Sequence, residues 1–144
     1  MKDTQDIKGK VTLKVIDKIG HIIQQNEAAN LVVNTGRNGA AKLLGGSGSG
    51  KDITQIAFGT SNTAAAPADT DLTGKFIKSI DSVAYPQVGA VEFTWALDYA
   101  ENNGMAIYEF GLFNSANELF SRKVRSLIAK TVDIRIEGTW TIQF

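Results

Sequence analysis

The sequence predicts a mainly β protein, an antiparallel β-sandwich of jelly-roll-like form with one short α-helix. Three observations predict it. Apolar and polar residues alternate with period two along most of the chain. Clusters of Gly, Asn, Asp and Pro recur about every ten residues, the spacing of all-β domains. Only "NTGRNGAAKLLGG" carries a helical pattern.

The elements follow in order. In "GKVTLKV", Val11, Leu13 and Val15 share one face of a half-buried strand, and Lys10, Thr12 and Lys14 share the other. A hairpin closes through Asp17–Gly20, "HIIQQ" resumes, and "NLVV" at 30–33 is again extended. Asn34 or Thr35 is positioned to cap the helix, Ala40, Ala41, Leu43 and Leu44 supply its apolar stripe, and Gly45 stops it. A strand at 52–58 leads into the loop "TAAAPADTDLTG". "KFIKSIDSVAY" reads as one strand, turned at Pro86–Gly89. In "AVEFTWALDYA", Val91, Phe93, Trp95, Leu97 and Tyr99 face one way. "MAIYEFGLFN" and "ELFSRKV" flank the turn "SANE". Residues 131–144 form the last strand, with Val132, Ile134, Ile136, Trp140, Ile142 and Phe144 on one face. Fourteen residues would run about 48 Å, so a bend or bulge is expected near Gly138. The count is about eight or nine strands.

The totals bound the function. A chain of 144 residues suits a single domain over 1–144, with a short flexible N-terminus of about eight residues. Fifteen Lys+Arg balance fifteen Asp+Glu, which argues against a dedicated nucleic-acid binder. There is no cysteine, hence no disulfide framework and no thiolate zinc site. The sequence shows no secretory leader and no apolar run long enough to insert in a membrane, so a soluble, non-secreted chain is expected.

Each candidate for chemistry meets a physical objection. "GGSGSGKD" at 45–52 matches most of a phosphate-binding loop. That loop needs a strand before it, a helix after it and a Ser or Thr beside the Lys. Here a helix precedes, a strand follows, and Asp52 stands beside Lys51. The segment reads as a connector, with Gly46–Gly50 expected to be mobile. "DTDLTG" at 69–74 opens like a calcium loop, but Ile77 and Ile80 occupy its ninth and twelfth positions, where oxygen ligands are required. His21 is the single histidine and belongs to a turn. Glu92 and Asp98 sit about 20 Å apart on one strand, against the about 5–9.5 Å that paired-carboxylate hydrolysis needs. Glu109 on another strand could approach one of them. Arg122, Lys123 and Arg125 read as an exposed strand end. Phe93, Trp95, Tyr99, Tyr108, Phe110, Trp140 and Phe144 have strand spacing and read mostly as core, with one or two available as a sugar platform. No catalytic, cofactor or metal residue is assigned, and no enzymatic activity is expected.

The C-terminal half carries a resemblance. Glu109, Phe110, Gly111, Leu112 and Phe113, then a tight polar turn, the return strand Leu119–Arg122, and the closing Trp140, Ile142 and Phe144 resemble small tail, tail-fibre and baseplate-associated proteins of tailed bacteriophages and prophages. Upstream, "NLVVNTGRNGAAKLLGG" and "ITQIAFGTSNTAAAPADTDL" are similar to the helix, strand and loop of such proteins. The resemblance spans about Asn30–Phe144. It implies a virion structural role, a β-sandwich, manufacture in the host bacterial cytoplasm, and assembly with other virion proteins and with copies of itself as trimers or rings. The absence of a heptad stalk or Gly-X-Y shaft points to a compact tail-tip, baseplate or adapter part. A capsid decoration protein and a module binding host-surface glycan are the alternatives.

Overall fold

The computed structural model describes residues 6–144. Among these, nine strands and one helix follow in chain order: β1 (Lys8–Asp17), β2 (Ile22–Val32), α1 (Asn34–Leu44), β3 (Ile53–Gly59), β4 (Phe76–Ser79), β5 (Ser82–Ala84), β6 (Ala90–Leu97), β7 (Ala106–Asn114), β8 (Leu119–Ala129) and β9 (Ile134–Gln143). Lys8 already pairs with Gln143 and Ile7 packs on the core, so the expected loose N-terminus is shorter than eight residues; its first five lie outside the described residues.

All strand pairs are antiparallel, in the order β4-β3-β7-β8-β2-β1-β9-β6-β5. Hydrogen bonding makes this one curled sheet, a half-barrel, where two separate layers were expected. The reason is β2. Its residues 22–30 pair with β1, and its last two, Leu31 and Val32, pair with Arg122 and Ser121 of β8. A period-two pattern marks which face is buried and carries no information on whether one strand serves both halves.

The curl brings the halves face to face. Trp95 of β6 meets Phe58 of β3 edge-on at 5.7 Å, and Phe58 meets Phe110 of β7 at 5.5 Å. Such pairs add about 0.5–1.5 kcal/mol each beyond burial. Val11, Leu13, Val15, Ile136, Trp140 and Ile142 complete this core, each on the face the alternation assigned.

"KFIKSIDSVAY" is two strands, not one. β4 and β5 lie at opposite ends of the strand order, yet only Ile80 and Asp81 separate them. The Ile80 amide donates to the Thr54 carbonyl on one half, and the Asp81 amide donates to the Thr94 carbonyl on the other. Three residue steps span at most about 11 Å, so the two margins of the sheet meet at this corner.

The bulge expected at Gly138 is absent. β9 keeps unbroken register with β1 and β6, and begins at Ile134 after a turn. Gly138 serves close packing instead: a Cβ there would lie 2.3 Å from the Thr12 carbonyl oxygen and 2.8 Å from the Trp95 ring. Register shifts fall elsewhere: opposite Val15 and Ile16, where β2 carries Ile23 as an extra residue, and in the β3–β7 and β7–β8 pairs.

α1 also departs from expectation. Its N-cap is Val33, with no side-chain cap; the Thr35 hydroxyl donates to the Leu119 carbonyl of β8 instead. Gly36 and Gly39 form its buried face, because a Cβ on Gly36 would meet the Phe120 carbonyl oxygen at 2.1 Å. The helix seats on β8 at Gly36, Gly39 lies toward Lys51, and Leu43 and Leu44 are left exposed.

Candidate functional site

Two features outside the central core concentrate unusual residues: a buried ionic clamp and an open apolar groove.

The clamp arises from the alternation of β7. Phe110 and Leu112 point into the main core, while Glu109, Gly111 and Phe113 point to the outer face. That face is covered by the long loop between β3 and β4, which inserts Leu72 beside Ala57, Phe113 and Leu119. Gly111 leaves the space Leu72 needs. Glu109 is therefore buried at 1 % exposure, and Arg122 of β8 at 4 %. Arg122 Nε donates to Glu109 Oε1 at 2.9 Å. Glu109 Oε2 accepts from the Ser61 and Thr73 amides at 2.8 and 3.0 Å. Arg122 Nη1 donates to Asp69 Oδ2, and Nη2 to the Thr63 carbonyl, both at 2.9 Å. Four loop positions and two strands are thus tied by a charge-assisted network. Gly59 completes it, since a Cβ there would stand 2.6 Å from Glu109 Oε2.

This geometry corrects the reading of Arg122 as an exposed basic end. It also places the calcium-like residues. Asp69 binds Arg122 and the Ala66 amide, and Asp71 binds Lys75 and the Leu72 amide. The carboxylates considered for acid–base work have separate settings. Asp98 pairs with Arg135, Glu109 belongs to the clamp, and Glu92 lies on β6 opposite Ala84 and Thr141. His21 is exposed, 3.7 Å from Asp17 in the hairpin turn. Among the described residues, no group of three or more His, Cys, Asp or Glu is placed to hold a metal.

The phosphate-loop lookalike has a mechanical role. Lys51 Nζ sits 2.5 Å from Glu118 Oε1, on the turn joining β7 to β8. The Ala116 and Ser115 amides of that turn donate to the Gly50 and Asp52 carbonyls, and Ser47 and Gly46 donate back to the helix end. Gly46–Gly50, expected as a mobile stretch, carries these hydrogen bonds. The Lys51 hydrogen bond, then that of Asn114, holds the Glu118 carboxyl below the usual carboxylate range.

A further buried cation is Lys130, just before β9. Its ammonium donates to Asn103 Oδ1 and to the carbonyls of Tyr99 and Thr131. Burial pushes it below the usual lysine range, and Glu101 opposes that shift.

The groove, about 1090 Å³, lies at the end of the sheet where β1 begins and β9 ends. α1 forms one wall through Ala40, Leu43 and Leu44; Val83, Tyr85 and Phe144 form the other. Leu44 is 92 % exposed and Tyr85 78 %. Arg37 and Asp52 are the charged lining residues, and Arg37 is held by Asp6 through two 2.7 Å hydrogen bonds. With mainly apolar walls, the groove can take up apolar side chains. Sequence reasoning missed it. The available signal was apolar residues in positions where turns and helix ends are usually polar: Leu44, Tyr85 and Phe144. Among the described residues, no helix is long and apolar enough to cross a membrane.

Comparison with protein-family models, curated proteins and solved structures finds no match for this chain.

Proposed function

We propose that the chain is a non-enzymatic structural protein of a tailed bacteriophage virion, a compact tail, baseplate or tail-fibre-associated part that packs against copies of itself and other virion proteins. In this reading the two halves of the curled sheet serve as the layers of a sandwich. The observation that carries the proposal is the contiguous exposed apolar surface around the groove, on a chain of zero net charge. Exposed patches of this kind mark interaction sites, and zero net charge offers little barrier to self-association. The resemblance of the β7–β8 and β9 segments to small phage tail proteins names the setting. Electron microscopy of purified phage particles carrying a labelled copy tests it. Label at the tail tip or baseplate supports the reading, label on the capsid favours a decoration protein, and label on no particle overturns both.

A second reading rests on Tyr85 and Phe144, two exposed aromatics on the walls of one concave surface. Such a surface could stack sugar rings of a host glycan. A glycan array without hits removes it.

A further inference from the structure

At the end of the sheet where β9 begins, the fold places an amine against an amide. Lys130 is the only buried lysine among the described residues, at 1 % exposure. Its backbone is fixed across the turn between β6 and β7. Its amide donates to the Met105 carbonyl at 3.0 Å, and its carbonyl accepts from the Gly104 amide at 2.8 Å. The side chain reaches back over that turn. Nζ lies 2.8 Å from Asn103 Oδ1, 3.0 Å from the Thr131 carbonyl oxygen and 3.2 Å from that of Tyr99. All three acceptors are neutral, and Lys130 forms no ion pair among the described residues. Glu101, two residues before Asn103, is taken by Lys78 at 2.6 Å. A buried ammonium without a paired carboxylate is pushed toward the neutral amine, and a neutral lysine amine is a nucleophile. The atom open to its attack, Asn103 Cγ, is one bond beyond the oxygen that Nζ already contacts.

We propose that Lys130 and Asn103 join in an intramolecular isopeptide bond, formed by the folded chain itself. Nζ, after losing a proton to solvent, adds to Asn103 Cγ and makes a C–N bond. The adduct passes a proton from Nζ to Nδ2, the Cγ–Nδ2 bond breaks, and ammonia leaves. A secondary amide remains, and nothing is oxidised or reduced. Two observations select this pair. The first is enforced contact. Well-oriented groups within one molecule reach effective molarities of about 10⁵–10⁸ M, and the backbone bonds of Lys130 to Gly104 and Met105 hold this pair together. The second is suppression of the usual rival. An asparagine followed by glycine ordinarily cyclises when the glycine nitrogen attacks its side chain. Here the Gly104 amide is bonded to the Lys130 carbonyl, so the residue that supplies the amine also ties down its competitor. The structure holds the pair before reaction, and freshly folded chain carries the free lysine. The product ties the β6–β7 turn covalently to the segment entering β9, in a chain with no cysteine to do so.

The intact mass of the wild-type chain, followed during incubation at mildly alkaline pH, tests this. A species lighter by one ammonia should accumulate and survive denaturation. Trypsin should no longer cut it after Lys130, and the digest should contain a branched peptide carrying both Asn103 and Lys130. The rate should rise about tenfold per pH unit below the folded lysine's own value; burial lowers that value, and Glu101, itself paired with Lys78, is the charge opposing the shift. Lys130→Arg and Asn103→Ser should each give no lighter species. Asn103 is exposed, so the serine variant keeps the comparison intact should the arginine variant unfold. Chain unfolded in urea should give no branched peptide, because the contact belongs to the fold. A wild-type mass that stays unchanged overturns the proposal. So does a lighter species that trypsin still cuts after Lys130, which is the cyclised Asn103–Gly104, and so does one that persists in Lys130→Arg.

Discussion

Arg122 Nε donates to Glu109 Oε1 at 2.9 Å, and both side chains are at most 4 % exposed. Removing Arg122 leaves the buried Glu109 carboxylate without a countercharge, and removing Glu109 leaves Arg122 only the partly exposed Asp69. Arg122→Met or Glu109→Leu alone should each cost about 3–5 kcal/mol. The double variant should cost less than the sum, because neither member of the buried pair is left without the other, while Asp69 and the Ser61 and Thr73 amides still lose a partner. Urea denaturation of the four proteins measures the coupling. Limited proteolysis of either single variant should cut first between Ser61 and Thr73, where the clamp holds the loop amides.

Lys130→Met removes the charged donor from three part-buried hydrogen bonds, and should destabilise by about 1–3 kcal/mol. The pH dependence has a definite sign. A folded-state lysine held below its ordinary value of 10.5 binds fewer protons than the unfolded chain in the interval between its folded value and 10.5. Burial of the ionised form therefore costs stability at neutral pH, and that cost is relieved as pH rises through the interval. The increment should vanish in Lys130→Met when unfolding is followed from neutral to alkaline pH.

Glu118 shows the opposite case. Its folded value lies below the ordinary value of 4.5, so its contribution is present above 4.5 and lost as pH falls through the folded value. Glu118→Gln and Lys51→Ala should both flatten the acid side of the stability profile. Lys51→Ala should leave nucleotide binding at background; a wild-type affinity for ATP abolished by that change would restore the phosphate-loop reading.

Glycine substitutions separate packing from propensity. Gly39→Ala places its methyl 4.0 Å from the Lys51 side chain and should stabilise by up to about 1 kcal/mol through helix propensity. Gly36→Ala meets backbone at 2.1 Å, and Gly138→Ala at 2.3 Å. Each should destabilise by about 1–3 kcal/mol, as overpacking does. Thermal unfolding of the three variants ranks them.

Much of the fold is legible in the sequence because burial on one face writes itself as alternation. β1, β6 and β9 carry it, and their expected inward residues Val11, Leu13, Val15, Phe93, Trp95, Ile136 and Trp140 form the core. Where both faces are buried, alternation fades. β7 is apolar on both sides, so Glu109 and Arg122 read as surface charges although a loop encloses them. The helix stripe misled for a related reason. Ala and Leu at helical spacing mark an apolar side, but glycines allow closer backbone approach, and Gly36 took the sheet while the leucines took the groove. The junction at Ile80–Asp81 has no sequence signature, since both flanking segments are extended and apolar.

The position of β9 sets an order of events in folding. It pairs with β1 on one side and β6 on the other, yet it lies C-terminal to every element it joins. Until it is synthesised, β1 and β6 have no common neighbour, and the Trp95–Gly138 contact that aligns them does not exist. A nascent chain ending before Ile134 would expose Val11, Leu13, Val15 and Trp95 together. Such a chain carries unpaired strand edges and open apolar surface, the features that make an incomplete chain aggregation-prone, and its longest-range pairing, β1 with β9, can form only once the C-terminus is present.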